Sequence, residues 1–211
     1  MIRKVAFNYP KTATGVFGQV RDKIIVEATW LGRHEPYSQK EISSYIYQMI
    51  KSSGQKAVAK KFDLQPFSVN VLSEKRTICE KIMSLVRFSY GENPIENLKN
   101  KIRHTYDIHQ LLKVPEIEAF FLSEDFDEML TLVGEDDVAS FKSKNEWLFI
   151  HPKEAKIFSD LDSIWSAIEP TYSNDFKNLV YGVLPGANEV KFSLKKVSER
   201  LQNIEWKVKA K

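Results

Sequence analysis

The spacing of apolar residues changes about a third of the way along this chain, and the change predicts two kinds of secondary structure. Before it, β-branched and aromatic residues alternate with polar ones. Residues 23–30 and 64–72 therefore predict strands, and in the second of them Phe67, Val69 and Val71 share one face. Behind them, apolar residues recur three and four positions apart, as in amphipathic helices. A small sheet followed by a larger helical region predicts an α+β fold.

The first predicted helix lies between these two strands. Ser38 stands three residues before Glu41, which is the spacing of a capping box, and apolar residues follow at helical spacing as far as Met49. The later helices are predicted to begin at Thr77 and then to cover residues 95–112, 117–121, 126–132, 161–168, 175–181 and 190–206, with Asp136 and Asp137 in a loop.

Composition indicates the cellular compartment more clearly than the function. The single Cys79 excludes an internal disulfide framework and a cysteine-based zinc site, which needs several thiolates. No apolar run has the length of a secretory signal or of a membrane span. We therefore expect a protein of the cytoplasm with no membrane partner. The formal net charge of +3 is only weak evidence for a polyanionic partner.

Charge is unevenly placed along the chain. Residues 56–113 are rich in lysine and arginine, whereas residues 116–137 are strongly acidic. A phosphate-facing surface beside a partner-facing one would give this order, and so would two solvated helix faces. A boundary near Glu74 or Lys113 fits the change in pattern. We divide the chain into residues 1–74, an incomplete α/β part, and residues 75–211, a helical region.

The predicted helix that begins at Thr77 carries the first candidate site residue. Thr77 and Glu80 match a capping box, which places Lys81 in the first turn of the helix. The N-terminal end of a helix is already positive, so Lys81 and that end would together suit a triphosphate. The simpler interpretation is a helix cap followed by a solvated lysine.

A second cluster of charge opens the run Arg-His-Thr-Tyr-Asp. Arg103 and His104 begin this run, and Asp107 follows Arg103 by one helical turn. A simpler explanation of this spacing is an Arg103–Asp107 ion pair on the helix surface, which would stabilise the helix by roughly 0.2–0.5 kcal/mol.

Read together, these two segments resemble the AbiEii/AbiGii toxin family of nucleotidyltransferases, within the DNA-polymerase-β-like superfamily. The matching runs are Arg-Thr-x-x-Glu-Lys at residues 76–81 and Arg-His-x-Tyr-Asp at residues 103–107, followed by a leucine pair. A strand with an internal Glu27 precedes them, and a helical array at residues 141–204 follows them, in the order of the family. The resemblance corresponds to the C-terminal two thirds of such an enzyme.

The resemblance implies transfer of a nucleotide from a nucleoside triphosphate (NTP) to an acceptor, with Mg²⁺ bridging phosphates and carboxylates. By analogy Lys81 binds the triphosphate and takes part in catalysis, and Asp107 is the late catalytic aspartate. Arg103 orients Asp107 or touches phosphate, Arg103 and His104 are nucleotide-binding residues, and Glu27 is a candidate third carboxylate. A separate antitoxin is implied as a partner, and some relatives modify the acceptor end of tRNA.

The sequence departs from the family pattern in one respect. The family carries a Gly-Ser or Gly-Gly-Thr motif and a metal-binding Asp-x-Asp pair near its start, and this order is absent here. The Asp-x-Asp pairs at residues 125–127 and 160–162 fall at a predicted acidic helix start and at a cap, and two helical residues two apart point to different sides. We therefore expect no metal site. We expect a natural truncation, one half of a split gene, or a fragment, inactive or weakly nucleotide-binding without a separate N-terminal half.

Two other functions stay open. A non-catalytic interaction module derived from the toxin fold would use the acidic stretch at residues 116–137 and the helical array behind it. A basic RNA-binding module would use lysines such as Lys56, Lys60 and Lys61 together with residues 99–103, although aromatic residues for stacking are sparse between them.

Overall fold

The computed structural model describes residues 2–10, 23–29, 33–141, 143 and 145–208. Within them lie the strands β1 (Ile2–Asn8), β2 (Lys23–Thr29), β3 (Tyr37–Ile42) and β4 (Phe67–Leu72). The α-helices are α1 (Tyr45–Ser52), α2 (Lys56–Lys61), α3 (Glu74–Phe88), α4 (Pro94–Lys99), α5 (Arg103–Leu112), α6 (Pro115–Phe121), α7 (Glu124–Ser140), α8 (Lys156–Ser159), α9 (Leu161–Pro170) and α10 (Ala187–Leu201). Short 3-10 turns lie at Glu146–Phe149, Pro152–Glu154 and Phe176–Leu179, and a π-helical turn at Thr171–Asp175. The predicted α+β class is confirmed.

The described strands form two antiparallel pairs. β1 pairs with β2, with Val5 opposite Val26, and β3 pairs with β4, with Gln39 opposite Asn70. The predicted strand at residues 23–30 is confirmed as far as Thr29, and its last residue lies outside the described residues. The predicted strand at residues 64–72 is confirmed from Phe67 onward. Strand β1 was not predicted.

The helix predicted to begin at Ser38 is wrong in its first part. Ser38 lies inside β3, because Tyr37–Ile42 finds its hydrogen-bonding partners in β4, more than twenty residues further along the chain. The helix begins instead at Tyr45, and its cap is Ser44, whose Oγ accepts a hydrogen bond from the Tyr47 backbone N–H at 3.0 Å. The prediction recognised the helical spacing but not the strand before it.

The chain forms two compact units. One comprises His34–Ser73, that is β3, α1, α2 and β4, and the structure describes all of it. Its one almost wholly buried side chain is that of Ala59. The other unit joins Met1–Arg33 to Glu74–Lys211 and contains β1, β2 and helices α3 to α10. The division at residue 74 proposed from the sequence stays a prediction.

Helix α3 lies at the centre of the larger unit. It packs against α5 and α7, and α10 packs against α5. The core of this unit includes the α3 residues Ile78, Cys79, Ile82, Met83, Leu85 and Val86, all at most 1% exposed. The predicted capping box is wrong, because α3 begins three residues earlier, at Glu74. Glu80 instead accepts a hydrogen bond from Arg76 Nε at 2.8 Å, one turn away.

Two further helix predictions needed correction. The helix predicted at residues 95–112 is divided into α4 and α5 by a turn. Helix α7 continues through Asp136 and Asp137, which were expected in a loop. Gly134, inside α7, has a structural reason for its small size, because a Cβ there would lie 2.6 Å from Cη2 of Trp206. The segment that follows α10 crosses α7 closely at this glycine.

Of the remaining predicted helices, those at residues 117–121, 161–168 and 190–206 are confirmed with changed bounds, and the one at residues 175–181 is wrong. Helices α6 and α9 contain the segments predicted at residues 117–121 and 161–168. The helix predicted at residues 190–206 ends at Leu201, and the one at residues 175–181 is replaced by short turns. In the acidic start of α7, Asp127 forms an ion pair with Arg200 of α10.

Candidate functional site

An ion pair joins the two charged segments found in the sequence. Lys81, two turns into α3, places its Nζ 2.8 Å from Oδ2 of Asp107 on α5. His104, one turn before Asp107, places Nδ1 3.6 Å from the same oxygen, which is longer than a hydrogen bond. The side chains of Lys81 and Asp107 are 26% and 32% exposed, so the pair borders solvent. The packing of α3 on α5 therefore brings three of the five proposed site residues together.

The expected contribution of the α3 helix end is wrong. Since α3 begins at Glu74, Lys81 lies in the middle of the helix and not in its first turn. The positive end of the helix dipole acts over roughly the first turn only. The start of α3 therefore contributes no positive potential at Lys81.

The protonation states of the pair follow from burial and from the neighbouring charges. Burial acts to raise the pKa of Asp107, but the nearby His104 and Lys81 outweigh it, and the pKa lies below its ordinary value. Burial lowers the pKa of His104, and the charges of Lys81 and Arg103 lower it further. Near neutral pH, Asp107 is therefore a carboxylate and His104 an uncharged imidazole.

Four cationic side chains form what we call the basic cluster, comprising Lys81, Arg87, Lys101 and Arg103. Lys101 is the most informative of them, because its pKa is lowered first by burial and then by the charges of Arg103, Arg87 and Lys81. Mutual repulsion of this kind means that the cations share a region of positive potential. An anion bound there would relieve the repulsion.

Two aromatic rings hold part of the basic cluster in place. The Lys101 ammonium lies 4.8 Å from the centre of the Phe88 ring, and the Arg87 guanidinium lies 4.6 Å from the same ring. The Arg87 guanidinium also lies 4.7 Å from the centre of the Phe141 ring. Cation–π contacts at these distances fix the long side chains without neutralising their charge.

Glu27 lies on β2, directly opposite Lys4 of β1, and the two side chains form an ion pair. Its negative charge also acts on Lys101 and partly opposes the lowering of the Lys101 pKa by burial and by the neighbouring cations. The strand therefore brings Glu27 into the electrostatic neighbourhood of the basic cluster.

The described carboxylates do not fit a Mg²⁺ site. Among the residues that the structure describes, no three His, Cys, Asp or Glu side chains are grouped so as to hold a metal ion. Asp107 is held by Lys81, and Glu27 pairs with Lys4. A two-metal site needs several carboxylates converging on the same position.

A second charged network was not foreseen from the sequence. Arg76 is 1% exposed and donates from Nη2 to Asp136 Oδ2 at 2.7 Å and from Nε to Glu80. Arg33 Nε lies 3.0 Å from the other oxygen of Asp136. The i,i+4 spacing of Arg76 and Glu80 was a visible signal, whereas nothing in the sequence linked Arg76 to a residue sixty positions away.

Next to this network, Asp137 is partly buried in a poorly solvated position. Burial raises its pKa from 3.8 to about 7, with Arg87 opposing the change and Glu80 and Asp136 adding to it. Asp137 and Asp136 both lie on α7, where the sequence predicts a loop. Arg87 therefore belongs to the basic cluster on one side and faces Asp137 on the other.

Comparison with protein-family models matches residues 2–203 to the family described as nucleotidyl transferase AbiEii toxin, type IV TA system. The match extends over nearly the whole chain, further forward than the resemblance drawn from the two motifs. No curated protein and no solved structure matches the chain. In the described part of the chain, no helix has both the length and the apolar composition needed to cross a bilayer.

Proposed function

Since this chain belongs to the AbiEii nucleotidyl transferase toxin family, we propose that its basic cluster binds the triphosphate of the NTP from which the nucleotide is transferred. The observation that carries the proposal is the grouping of these cations. Lys101 and Arg87 lie against the same Phe88 ring, and the pKa of Lys101 is lowered first by burial and then by the charges of Arg103, Arg87 and Lys81. A triphosphate carries several negative charges and would pair with more than one of these groups at once.

Each residue of the site has a role that its environment supports. Arg103 is exposed at the start of α5 and contacts phosphate oxygens through its planar guanidinium. Lys81 contacts phosphate as well, oriented by its ion pair with Asp107. Asp107 is the catalytic carboxylate, kept ionised by its low pKa. The uncharged His104 lies one turn before Asp107, with its Nδ1 3.6 Å from Oδ2, and we assign it to the nucleotide-binding site as well.

The carboxylates of the described residues do not fit Mg²⁺, and in this proposal a separate polypeptide supplies the ligands of the ion. We expect the 211-residue chain alone to bind nucleotide without turning it over. A polypeptide that carries the family's Asp-x-Asp pair would complete the site. Robust nucleotide transfer by this chain alone, abolished by Asp107→Asn, would refute this expectation.

Strands β1 and β2 offer a surface on which such a polypeptide can dock. Val5, Phe7, Ile24 and Val26 lie on one face of the pair and are 53–58% exposed. A two-stranded sheet is marginally stable by itself, and large apolar side chains are normally covered. An antitoxin is the other protein partner that the type IV toxin–antitoxin family suggests.

The unit His34–Ser73 supports a nucleic-acid acceptor such as tRNA. Residues 43–62 contain four lysines and no acidic residue. The exposed rings of Tyr45 and Phe62 lie on the same helix pair, with the Lys61 ammonium 5.6 Å from the centre of the Phe62 ring. Cations for the phosphate backbone and rings for unpaired bases are what single-stranded nucleic acids require. If tRNA binding measured by gel shift is unchanged in Lys60→Glu/Lys61→Glu, this assignment is wrong.

The triphosphate site is tested by calorimetric titration with inorganic tripolyphosphate. We expect Lys101→Met to weaken binding by about ten- to a hundredfold, because a charge-assisted contact contributes roughly 1.5–3 kcal/mol. Lys99→Met is the matched control. It makes the same change two residues away, but Lys99 already pairs with Glu96 at 2.7 Å.

Equal weakening by the two variants would show that only overall charge matters, and it would contradict a defined triphosphate site. Circular dichroism of both variants distinguishes a loss of binding from a loss of fold. The Lys101 side chain is partly buried against Phe88, so Met preserves the apolar contact of its stem.

A further inference from the structure

A pocket of about 440 Å³ opens between α5 and α10. Helix α5 and its C-terminal cap contribute His109, Leu112 and Lys113, and α10 contributes Phe192 and Ser193 among others. The volume falls within the range of roughly 300–1,000 Å³ that pockets for small organic ligands have. None of the described residues that line it belongs to the proposed triphosphate site.

A buried imidazole supplies the first binding group of this pocket. His109 is only 7% exposed, and its Nδ1 lies 2.8 Å from Oγ of Ser193, which is 6% exposed. The other ring nitrogen, Nε2, is buried and has no hydrogen-bond partner among the described residues. An unpaired buried polar atom is costly, so a ligand that completes the hydrogen bond to Nε2 would be favoured.

The hydrogen bonds around His109 decide whether the ligand must donate or accept. Ser193 Oγ donates its proton to the Glu189 backbone carbonyl at 3.3 Å, so the ring donates to Oγ from Nδ1. Burial lowers the pKa of His109, and the charge of Lys113 lowers it further, so the imidazole is uncharged near neutral pH. Nε2 therefore carries a lone pair, and the ligand must present an O–H or N–H group to it.

A lysine supplies the second binding group. The charged residues among those that line the pocket are Lys113, Glu189 and Lys196. Lys196 forms an ion pair with Glu118 at 3.0 Å, and Glu189 accepts a hydrogen bond from the Gly186 backbone N–H at 2.8 Å. Within the described part of the chain, Lys113 forms no ion pair. An anionic group on the ligand would therefore meet a positive charge that the protein itself leaves uncompensated.

The spacing and the walls of the pocket restrict the shape of the ligand. His109 and Lys113 are four residues apart on one face of α5, where Cβ atoms lie roughly 5–6 Å from each other. Leu112 and the 60% exposed ring of Phe192 supply apolar surface beside them. A flat aromatic ring packs well on such surface, and it can carry a hydroxyl at one end and an acid at the other.

We propose that the pocket between α5 and α10 binds a small aromatic hydroxy acid, whose hydroxyl donates to Nε2 of His109 and whose carboxylate lies beside Lys113. The binding site is separate from the proposed triphosphate site and does not depend on it. Helix α5 carries both His109 and Asp107, so the ligand would contact the helix that presents the proposed catalytic aspartate.

The test is an NMR titration of the full chain, which measures affinities in the millimolar range, with 4-hydroxybenzoate and two analogues. Benzoate lacks the hydroxyl, and 4-hydroxybenzamide has an uncharged amide in place of the carboxylate. We expect 4-hydroxybenzoate to bind about threefold to fivefold more tightly than either analogue. A hydrogen bond between uncharged groups and an ion pair at the surface each contribute a factor of about this size.

Variants assign the two binding groups. Lys113→Met should remove the advantage of 4-hydroxybenzoate over 4-hydroxybenzamide. Lys195→Met is the matched control, since Lys195 lies on α10 outside the pocket, 3.9 Å from Glu199. His109→Phe should remove the advantage over benzoate, with circular dichroism as the check on folding. If His109→Phe does not fold, the comparison of the two acids on the natural chain still tests the hydrogen bond.

The outcomes also distinguish this pocket from the basic cluster. Binding that is weakened by Lys113→Met and unchanged by Lys101→Met would support the proposal. Binding that is weakened by Lys101→Met and unchanged by Lys113→Met would place the acid at the basic cluster and overturn it. Benzoate that binds as tightly as 4-hydroxybenzoate, or no binding at millimolar concentrations, would overturn it as well.

Discussion

The substitution Asp137→Asn tests how strongly the fold perturbs a carboxyl group that the sequence places in an unremarkable acidic run. Burial raises the pKa of Asp137 from 3.8 to about 7. The folded protein therefore binds one more proton than the unfolded chain between about pH 4 and pH 7. Stability consequently falls as pH rises through this window and is level above it. Asn has the same shape but cannot ionise, so the free energy of unfolding of the variant does not fall in this pH range.

The size of the effect follows from the difference between the two pKa values. A difference of about three pH units, at about 1.36 kcal/mol each, gives an upper bound of about 4 kcal/mol. We expect the Asn variant to exceed the natural chain in free energy of unfolding by up to about 4 kcal/mol at pH 8, and by about 2 kcal/mol at pH 5. The opposing attraction of Arg87 is already contained in the pKa of about 7.

The assay is urea unfolding of both proteins at pH 5, 6, 7 and 8, followed by circular dichroism, with Asp125→Asn as the exposed control. A gap that does not widen between pH 5 and pH 8 would refute the reasoning. So would an Asn variant less stable than the natural chain at pH 8, because the Arg87–Asp137 attraction would then exceed the cost of burial.

Two further predictions concern packing and hydrogen bonding in the helical unit. Gly134→Ala should lower the free energy of unfolding by about 1–3 kcal/mol, because the new methyl group would lie 2.6 Å from an atom of Trp206, and urea unfolding followed by tryptophan fluorescence checks it. Ser193→Ala should cost about 1–3 kcal/mol, since it removes the 2.8 Å hydrogen bond to Nδ1 of buried His109, whose Nε2 has no partner among the described residues. Thermal unfolding at pH 8, where the imidazole is neutral, measures this second cost, and an unchanged midpoint would contradict it.

Periodicity in the sequence predicted most of the helices and two of the described strands. Helices α6 and α9 and strand β4 were found because their apolar residues follow a local repeat. Strand β3 was missed because its partner lies in β4, beyond two intervening helices. The hydrogen bonds that stabilise β3 come from residues far along the chain. The local sequence therefore shows the helix-like cap at Ser38 but not the strand pairing.

The sequence also predicted only part of the candidate site. The resemblance of two motifs assigned Lys81 and Asp107 to one site, and the packing of α3 on α5 places their charged atoms 2.8 Å apart. The interpretation of Lys81 as part of a helix end failed, because the true start of α3 lies one turn earlier. In the sequence Lys101 is only one of the basic residues 99–103, since its role in the basic cluster depends on neighbours from three other positions.

By itself, then, the sequence determined the class of fold, the positions of most helices and the family to which its motifs belong. These properties depend on residues that are close together along the chain. Only the tertiary structure decided that Arg76 meets Asp136 and that Asp137 is partly buried with a pKa of about 7. The physical reason is that charge state and pairing depend on desolvation and on distances of a few ångströms. Those are fixed when helices far apart in sequence pack against each other.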